Sequence, residues 1–163
     1  CLSELYAAVY TDLYGVHSVC LRFFNVYGPK QDPFSPYSGV ISKFMDAISR
    51  DDEFTIFGDG EQTRDFVYVL DVVQALILSM EKNVSGVFNV GTGTSVSIND
   101  LARTIMEVSG KKVGIRYFSA RKGEVRHSCA DISKISEGLG YKPKYSLKEG
   151  INETYSWWIE KHG

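Results

Sequence analysis

The spacing of apolar side chains changes several times along the chain, and each change predicts a new element. Residues 4–14 carry apolar side chains at helical spacing, and Gly15 ends this predicted helix because glycine readily adopts the left-handed conformation. Residues 18–25 (SVCLRFFN) are almost continuously apolar or aromatic, which is typical of a strand buried on both faces. The beginning of the chain therefore predicts a helix followed by one strand of a parallel sheet.

A proline-rich segment comes next. Residues 27–39 (YGPKQDPFSPYSG) hold three of the four prolines and two glycines, so a long, stiffened loop is predicted. Ser38 is placed to cap a helix over 40–48, where apolar side chains again recur at helical spacing. Long loops inside compact domains usually serve a function, so this segment is a candidate part of a site.

Strands and helices alternate through the rest of the chain. Ser97 and Asp100 form the pattern of a capping box that opens a helix, and Gly110 closes it. Three other helices are predicted, at 71–81, after the cap Asp131 and at 147–160. The helix at 71–81 is apolar on nearly all sides, as expected of a helix packed between layers. Strands are predicted at 54–57, at 66–69 with Arg64 and Asp65 at its start, at 87–90 and at 115–118. The alternation predicts an α/β fold.

Composition and charge narrow the class of protein. The 163 residues include 44% hydrophobic and 23% charged side chains, which is usual for one globular domain. A net charge of -2 argues against nucleic acid as a partner, so any bound anion is expected to be held by a few placed arginines. No apolar run is long enough for a membrane helix, so no membrane partner is expected. Three widely spaced cysteines predict neither a disulfide framework nor a metal site, and a cytoplasmic location is expected.

Four motifs in a fixed order resemble the extended short-chain dehydrogenases that act on nucleotide sugars. They are residues 22–29 (RFFNVYGP), 58–75 (GDGEQTRDFVYVLDVVQA), 88–93 (FNVGTG) and 121–143 (RKGEVRHSCADISKISEGLGYKP). Residues 31–44 (QDPFSPYSGVISKF) look most like the UDP-hexose 4-epimerase branch of that family. The resemblance implies part of a Rossmann-type α/β fold, with two or three strands of a parallel sheet and a small α/β subdomain that binds the nucleotide sugar.

The resemblance also implies a division of the chain. Residues 1–30 and 70–110 match the sheet and helices of the NAD-binding part, and 31–69 and 111–163 match the nucleotide-sugar-binding subdomain. Family members carry a Gly-x-x-Gly-x-x-Gly turn for NAD and Tyr-x-x-x-Lys for the chemistry, and neither motif is in this sequence. Residues 4–8 (ELYAA) match the place just after that Lys. The chain thus resembles a C-terminal half, with the catalytic residues and the main NAD site expected in a missing N-terminal half.

Two arginines and a glutamate are the principal candidates for substrate binding. The resemblance assigns Arg64 and Arg121 to the nucleotide diphosphate, and a guanidinium suits that role because it pairs with two phosphate oxygens at once. Glu124 matches the residue that accepts the ribose hydroxyls. The alternatives are a surface salt bridge of Arg64 with Asp65 or Asp71, and a solvated charge run at 121–124.

The remaining candidate residues are uncharged. Asn25 follows a buried strand, where ligands of α/β sheets gather, but its amide could instead satisfy a turn. Phe24 resembles a residue that lines the nicotinamide pocket and could equally be a core aromatic. The resemblance implies that four residues surround the uracil, namely Val40, Thr55, Ile56 and Phe57. Gln62 is expected to be within reach of the ribose. No catalytic residue and no metal ligand is predicted.

The turn at Gly91, Thr92 and Gly93 follows a predicted strand and precedes a helix, as a dinucleotide-binding loop would. This interpretation is disfavoured because the third glycine is missing and no acidic residue follows about twenty positions later. Asp131 is interpreted as a helix cap.

Three functions from different classes are compatible with these residues. The first is the UDP-sugar-binding half of an NAD-dependent 4-epimerase, inactive by itself. The second is the same half of a nucleotide-sugar 4,6-dehydratase, decarboxylase or reductase, and the third is a non-catalytic module that binds nucleotide sugars. Strands without their neighbours leave apolar edges, so a homodimer or other self-association is also expected.

Overall fold

The computed structural model describes residues 1–32, 35 and 38–162. The segment 31–44, which carries the resemblance to the 4-epimerase branch, includes four residues outside that description, namely Pro33, Phe34, Pro36 and Tyr37. In chain order the elements are α1 (Leu2–Tyr14), β1 (Val19–Phe23), β2 (Asn25–Tyr27), α2 (Val40–Ser49), β3 (Phe54–Phe57), β4 (Thr63–Arg64), β5 (Phe66–Tyr68), α3 (Val69–Glu81), β6 (Gly86–Val90), β7 (Val96–Ser97), α4 (Ile98–Ser109), β8 (Ile115–Phe118), α5 (Ser133–Leu139) and α6 (Leu147–His162). The α/β fold predicted from the alternation is confirmed.

The strands of the described residues pair two by two. Three pairs are parallel, β1 with β6, β2 with β5 and β3 with β8, and the fourth, β4 with β7, is antiparallel. Parallel pairs need a crossover connection, and here helices and loops supply it. The parallel sheet expected from the apolar run at 18–25 is therefore present.

Two apolar clusters hold these elements together, and β5 contributes to both. Phe66 and Tyr68 face the first cluster and Val67 faces the second, as the two-residue period of a strand requires. The first cluster packs α2, β3, α4 and α6 around side chains that include Phe44, Phe54, Ile105, Ile151 and Trp158. The second packs β6, α3 and α5 around Val72, Phe88, Val90, Ile135, Leu139 and Tyr141.

The predicted division of the chain into an NAD-binding part and a sugar-binding part stays a prediction. Within the clusters, α4 packs beside α2 and α6, whereas α5 packs beside β6. Each of these helices thus contacts elements from the other side of the predicted division.

The sequence prediction was wrong in detail where strands change partners. The strand predicted at 18–25 divides at Phe24, because β1 pairs with β6 whereas β2 pairs with β5. The strand predicted at 66–69 ends at Tyr68, and Arg64 lies in the separate strand β4. The element boundaries thus follow the neighbouring strands rather than the local apolar run.

The start of α2 also differs from the prediction. Gly39 is the N-cap residue, and no side chain caps this helix. The Ser38 hydroxyl instead donates a hydrogen bond to the backbone oxygen of Asp32, which closes the preceding loop. The cap predicted for α4 is confirmed, because the Asp100 N–H donates to the Ser97 hydroxyl. The cap predicted for α5 is wrong, because Ile132 is the N-cap residue and Asp131, one residue earlier, accepts a hydrogen bond from the Ser133 N–H.

Helices α1 and α3 each present an exposed apolar face. No residue of α1 is buried, and a hydrogen-bonded ion pair between Glu4 and Arg22 connects the helix to β1. That pair, with a further contribution from the amino group of Cys1, lowers the pKa of Glu4 to about 2. On α3 the exposed apolar side chains are Leu70, Val73, Leu76, Ile77 and Met80. The prediction that α3 is packed between layers is therefore wrong for that face.

Candidate functional site

A cleft of about 450 Å³ lies between α2, β3 and the segment that follows β8. Residues of β2 and β4 also line the cleft. The cleft is a single concave surface. It contains all nine residues that the sequence suggested for substrate binding, which are Asn25, Val40, Thr55, Ile56, Phe57, Gln62, Arg64, Arg121 and Glu124. Residues separated by up to about a hundred positions in the sequence thus share one concave surface, as expected for a ligand pocket.

Arg64 and Glu124 form an ion pair in this cleft. The Arg64 Nη2 lies 3.1 Å from the Glu124 Oε1, and the Arg64 Nη1 donates a 2.9 Å hydrogen bond to the Thr63 backbone oxygen. The Arg64 side chain is 17% exposed, so it keeps its guanidinium at the cleft wall rather than in bulk water. The alternative of a salt bridge with Asp65 or Asp71 is wrong, because both of those carboxylates are buried and bind other groups.

Arg121 lies over an aromatic ring. Its guanidinium carbon is 3.9 Å from the centre of the Phe57 ring, and the Phe57 ring in turn packs against Phe118 at 5.8 Å. A cation over an aromatic face is attracted by the negative face of the ring. The contact holds the guanidinium of an exposed arginine beside the cleft.

Gln62 is the most buried polar side chain of the cleft, at 6% exposure. Its Nε2 donates a 2.7 Å hydrogen bond to the Phe57 backbone oxygen, which fixes the orientation of the amide. Its Oε1 is buried and has no hydrogen-bond partner among the described residues. A buried acceptor without a partner is costly, so Gln62 is held here at an energetic cost to the fold.

Among the described strands, β3 pairs with β8 on one side only. Phe54 and Gly58 donate their N–H groups to the Gly114 and Phe118 oxygens, so in a parallel ladder the alternate residues Thr55 and Phe57 direct their backbone groups away from β8. The Thr55 backbone can therefore meet the edge of a planar ligand. Val40, at the start of α2, and Ile56 provide apolar surface beside it.

Asn25 lines the cleft, whereas Phe24 does not. The Asn25 Nδ2 donates a 3.0 Å hydrogen bond to the Asp65 backbone oxygen, so one of its two amide hydrogens satisfies the backbone, and the side chain still lines the cleft. Phe24, the residue suggested for the nicotinamide pocket, does not line this cleft and lies at the junction of β1 and β2. Its proposed contact with a cofactor stays a prediction.

The turn at 91–93 binds an anion that belongs to the chain itself. The Asp65 carboxylate accepts hydrogen bonds from the Thr92 and Gly93 N–H groups at 2.8 and 2.9 Å. A nest of backbone N–H groups like this would otherwise be free to bind a phosphate. Because its donors are already used, the turn does not fit the diphosphate of a dinucleotide, in agreement with the interpretation of the sequence.

Two charged residues of the cleft were not singled out in the sequence. Lys43 and Glu53 also line it, the first on α2 and the second just before β3. Lys43 lies three residues after Val40, and residues at this spacing share one face of a helix. Helical spacing from Val40 was therefore the signal that could have identified Lys43.

The turn before β4 is pinned to the segment that carries Arg121 and Glu124. The Arg126 guanidinium donates two hydrogen bonds to the Asp59 carboxylate at 2.7 and 2.8 Å. These bonds, and then one from the Glu61 N–H, lower the pKa of Asp59 to about 2. The turn and the segment are thereby held on the same side of the cleft.

The described part of the chain contains neither a metal-binding cluster nor a membrane-spanning helix. Within it, no cluster of three or more His, Cys, Asp or Glu side chains could hold a metal ion. Nor does it contain a helix with the length and apolar character needed to cross a membrane.

Comparison with known proteins assigns the chain to a family. The family model described as GDP-mannose 4,6 dehydratase matches residues 1–154. The putative UDP-glucose 4-epimerase of Methanocaldococcus jannaschii is 43% identical over 157 residues, which are 96% of this chain and 50% of that relative. The chain belongs to the NAD-dependent epimerase/dehydratase family. It corresponds to the C-terminal half and spans about half the length of the curated relatives it matches.

Solved structures of epimerases from this family have the same fold. UDP-glucose 4-epimerase from Thermotoga maritima, solved with UDP-glucose, matches with a TM-score of 0.93 at 42% identity, over 98% of this chain and 52% of that one. UDP-glucose 4-epimerase from Thermus thermophilus, solved with NAD, matches with a TM-score of 0.86 at 32% identity, over 96% of this chain and 51% of that one. The resemblance to extended short-chain dehydrogenases is thus confirmed at the level of fold and family.

Proposed function

We propose that this chain is the nucleotide-sugar-binding half of an NAD-dependent UDP-hexose 4-epimerase. The observation that carries the proposal is the cleft, in which two arginines, a glutamate and a glutamine converge although they come from separate elements. The Thermotoga maritima relative, which is 42% identical, was solved with a UDP-sugar. This likeness favours an epimerase over the dehydratase, decarboxylase and reductase alternatives.

The diphosphate is assigned to Arg64 and Arg121. Arg64 offers a partly buried guanidinium, and Arg121, stacked on Phe57, offers a second one at the rim. Charge-assisted hydrogen bonds from two guanidinium groups suit a doubly charged diphosphate. Glu124 would exchange its ion pair with Arg64 for the ribose hydroxyls, which leaves Arg64 to the phosphate.

The nucleoside is assigned to the β3 side of the cleft. The Thr55 backbone can supply a donor and an acceptor to the edge of uracil, with Val40, Ile56 and Phe57 around its faces. Gln62, which also lines the cleft, is assigned to the ribose. Asn25, which also lines the cleft, has a second amide hydrogen for a phosphate oxygen.

Catalysis is assigned to residues outside this chain. The sequence has no Tyr-x-x-x-Lys and no Gly-x-x-Gly-x-x-Gly turn. The backbone N–H groups of the 91–93 turn already donate hydrogen bonds to Asp65. The residues present do not fit the NAD diphosphate. We therefore propose that the chain contributes substrate binding, and that an NAD-binding N-terminal half is the partner that completes the enzyme.

Titration calorimetry with UDP tests the binding site. The chain is expected to bind UDP, and Arg64→Ala is expected to weaken binding about tenfold to a hundredfold, because a hydrogen bond to a charged group is lost in a partly buried site. Arg103→Ala is the matched control, since Arg103 is an exposed arginine on α4 that pairs with Asp100 outside the cleft. No binding of UDP, or an equal loss in both variants, would refute the proposal.

The catalytic assignment has its own assay. The chain with NAD and UDP-glucose is expected to produce no 4-epimer. Turnover by the chain alone would show that it contains catalytic residues not recognised in the cleft, while leaving the UDP-binding result as an independent measurement.

A further inference from the structure

Asp65 is a fully buried carboxylate beside the substrate cleft, adjacent in sequence to Arg64. Its Oδ1 accepts hydrogen bonds from the Thr92 N–H at 2.8 Å and the Thr92 hydroxyl at 2.7 Å. Its Oδ2 accepts from the Gly93 N–H at 2.9 Å and the Ala130 N–H at 3.1 Å. Four donors from two loops thus replace water around one buried charge, as a buried carboxylate requires.

The backbone of Asp65 connects a third segment. Its carbonyl oxygen accepts hydrogen bonds from the Asn25 N–H at 3.1 Å and from the Asn25 Nδ2 at 3.0 Å. Asp65 therefore joins the start of β2, the 91–93 turn and Ala130. Two of these three segments carry residues assigned to the nucleotide sugar. One contains Asn25, and the other is the segment 119–130, which contains Arg121 and Glu124 and ends at Ala130.

The segment 119–130 is attached at the cleft by the Arg64–Glu124 ion pair and the Arg121–Phe57 contact, and outside the cleft by further hydrogen bonds. Its middle is held to β4 by hydrogen bonds of Thr63 with the Arg126 oxygen and the Ser128 N–H. The Arg126 guanidinium fixes the segment to Asp59. At its C-terminal end the Ala130 N–H is anchored by Asp65, and the position of the whole segment relative to β4 depends on both attachments.

We propose that Asp65 is a positioning residue for nucleotide-sugar binding. Asp65 lies on the strand side opposite Arg64, because successive residues of an extended chain point in opposite directions. One dipeptide then does two things: Arg64 faces the ligand, and Asp65 fixes the segment that brings Arg121 and Glu124 to the same ligand. This inference rests on the proposed function, since it concerns the same cleft.

The decisive variant is Asp65→Asn. An amide NH₂ would replace one of the two acceptor oxygens and face backbone N–H donors, so at least one loop would lose its attachment. UDP binding is expected to weaken about tenfold, because one buried acceptor is replaced by a donor that cannot bond to the facing N–H groups. Because Asp65 acts through the segment, the loss is expected to be much smaller in a chain that already carries Arg121→Ala.

Asp71→Asn is the matched control. Asp71 is also fully buried, and its carboxylate accepts hydrogen bonds from the Lys144 and Tyr145 N–H groups at 2.8 and 3.3 Å. These groups lie outside the cleft. Asp71→Asn is therefore expected to lower stability but to leave the affinity for UDP within about twofold, because no segment of the site is released.

Trypsin cleavage gives a readout that needs no ligand. Arg121 and Lys122 are exposed, and cleavage after them is expected to be faster in Asp65→Asn than in Asp71→Asn at a temperature where both are folded. If Asp65→Asn does not fold, Thr92→Val leaves the Asp65 carboxylate in place and removes the Thr92 hydroxyl, which donates to Asp65 and accepts from the Thr94 N–H. It is expected to shift both readouts in the same direction by a smaller amount.

The outcomes separate this inference from the proposed function. Equal weakening of UDP binding in the two aspartate variants, or full additivity of Asp65→Asn with Arg121→Ala, would overturn the positioning role while the UDP site stands. If the unmodified chain binds no UDP, the proposed function fails. Unchanged cleavage after Arg121 in Asp65→Asn would then also overturn the inference, and faster cleavage would support it.

Discussion

Gly91 stands beside the carboxylate that joins the loops around the cleft. A Cβ atom at this position would lie 2.7 Å from the Asp65 Oδ2 and 2.5 Å from the Ala130 Cβ, both nearer than side-chain atoms approach one another. The reason for glycine here is space, because a methyl group would displace the acceptor of the Gly93 and Ala130 N–H groups.

Gly91→Ala is expected to lower the free energy of unfolding by about 2 kcal/mol, the usual cost of forcing an extra carbon into a packed site. Gly114→Ala is the matched control, because its Cβ would meet the Glu53 carboxylate at 2.8 Å, but Glu53 is exposed and can rotate away. Urea denaturation measures both. A cost for Gly114→Ala as large as that for Gly91→Ala would contradict this account of the site.

Helix starts differ in how far the local sequence decides them. Ser97 caps α4 through a 3.0 Å hydrogen bond from the Asp100 N–H, and its hydroxyl also donates to the Asp100 carboxylate. Gly110 ends the same helix with φ 68°. All of these interactions lie within four residues of each end, so the sequence alone could predict α4.

Ser97→Ala is expected to lower the free energy of unfolding by about 1 kcal/mol, because the first turn of α4 loses its side-chain acceptor. Ser79→Ala is the comparison, since the Ser79 hydroxyl donates to the Leu76 oxygen within α3 and caps no helix. Thermal or urea unfolding of both variants gives the difference. If the two substitutions cost the same, the Ser97 hydrogen bond contributes nothing as a cap.

Features that depend on distant residues could not be predicted from the local pattern. The apolar run at 18–25 gave no sign that the chain changes its pairing partner at Phe24, because the partners lie on β5 and β6. The sequence placed Asp65 as a surface partner for Arg64, whereas its actual partners, Thr92, Gly93 and Ala130, lie at least 27 residues away. The individual site residues came from motifs, but the positioning network required the fold.

The molecule as a whole leaves many large apolar side chains exposed. Exposed large apolar side chains are concentrated on α1 and α3, and β1 pairs on one side only among the described strands. Exposed apolar patches and open strand edges are typical of surfaces that meet another chain. They are consistent with the proposed N-terminal partner, and in its absence with contact between copies.

The chain is therefore expected to sediment as a species larger than its 18.3 kDa monomer. Leu13→Lys, on the exposed face of α1 at 68% exposure, is expected to shift the distribution toward monomer because a charge cannot enter an apolar contact without cost. Met80→Lys tests the α3 face in the same way and identifies which surface is used. A single monomeric boundary for the unmodified chain at all concentrations would contradict the prediction.

The strand pairs also determine how soon the chain can fold. Val19 pairs with Gly86, Asn25 with Phe66 and Phe54 with Ile115, so no parallel ladder joins neighbouring parts of the sequence. Each ladder must close a long loop before it gains any hydrogen bond, which makes folding of such topologies slow. During synthesis, β3 must wait until residue 118 has left the ribosome. Until then its ladder with β8 cannot form, and unpaired apolar strands of this kind favour aggregation.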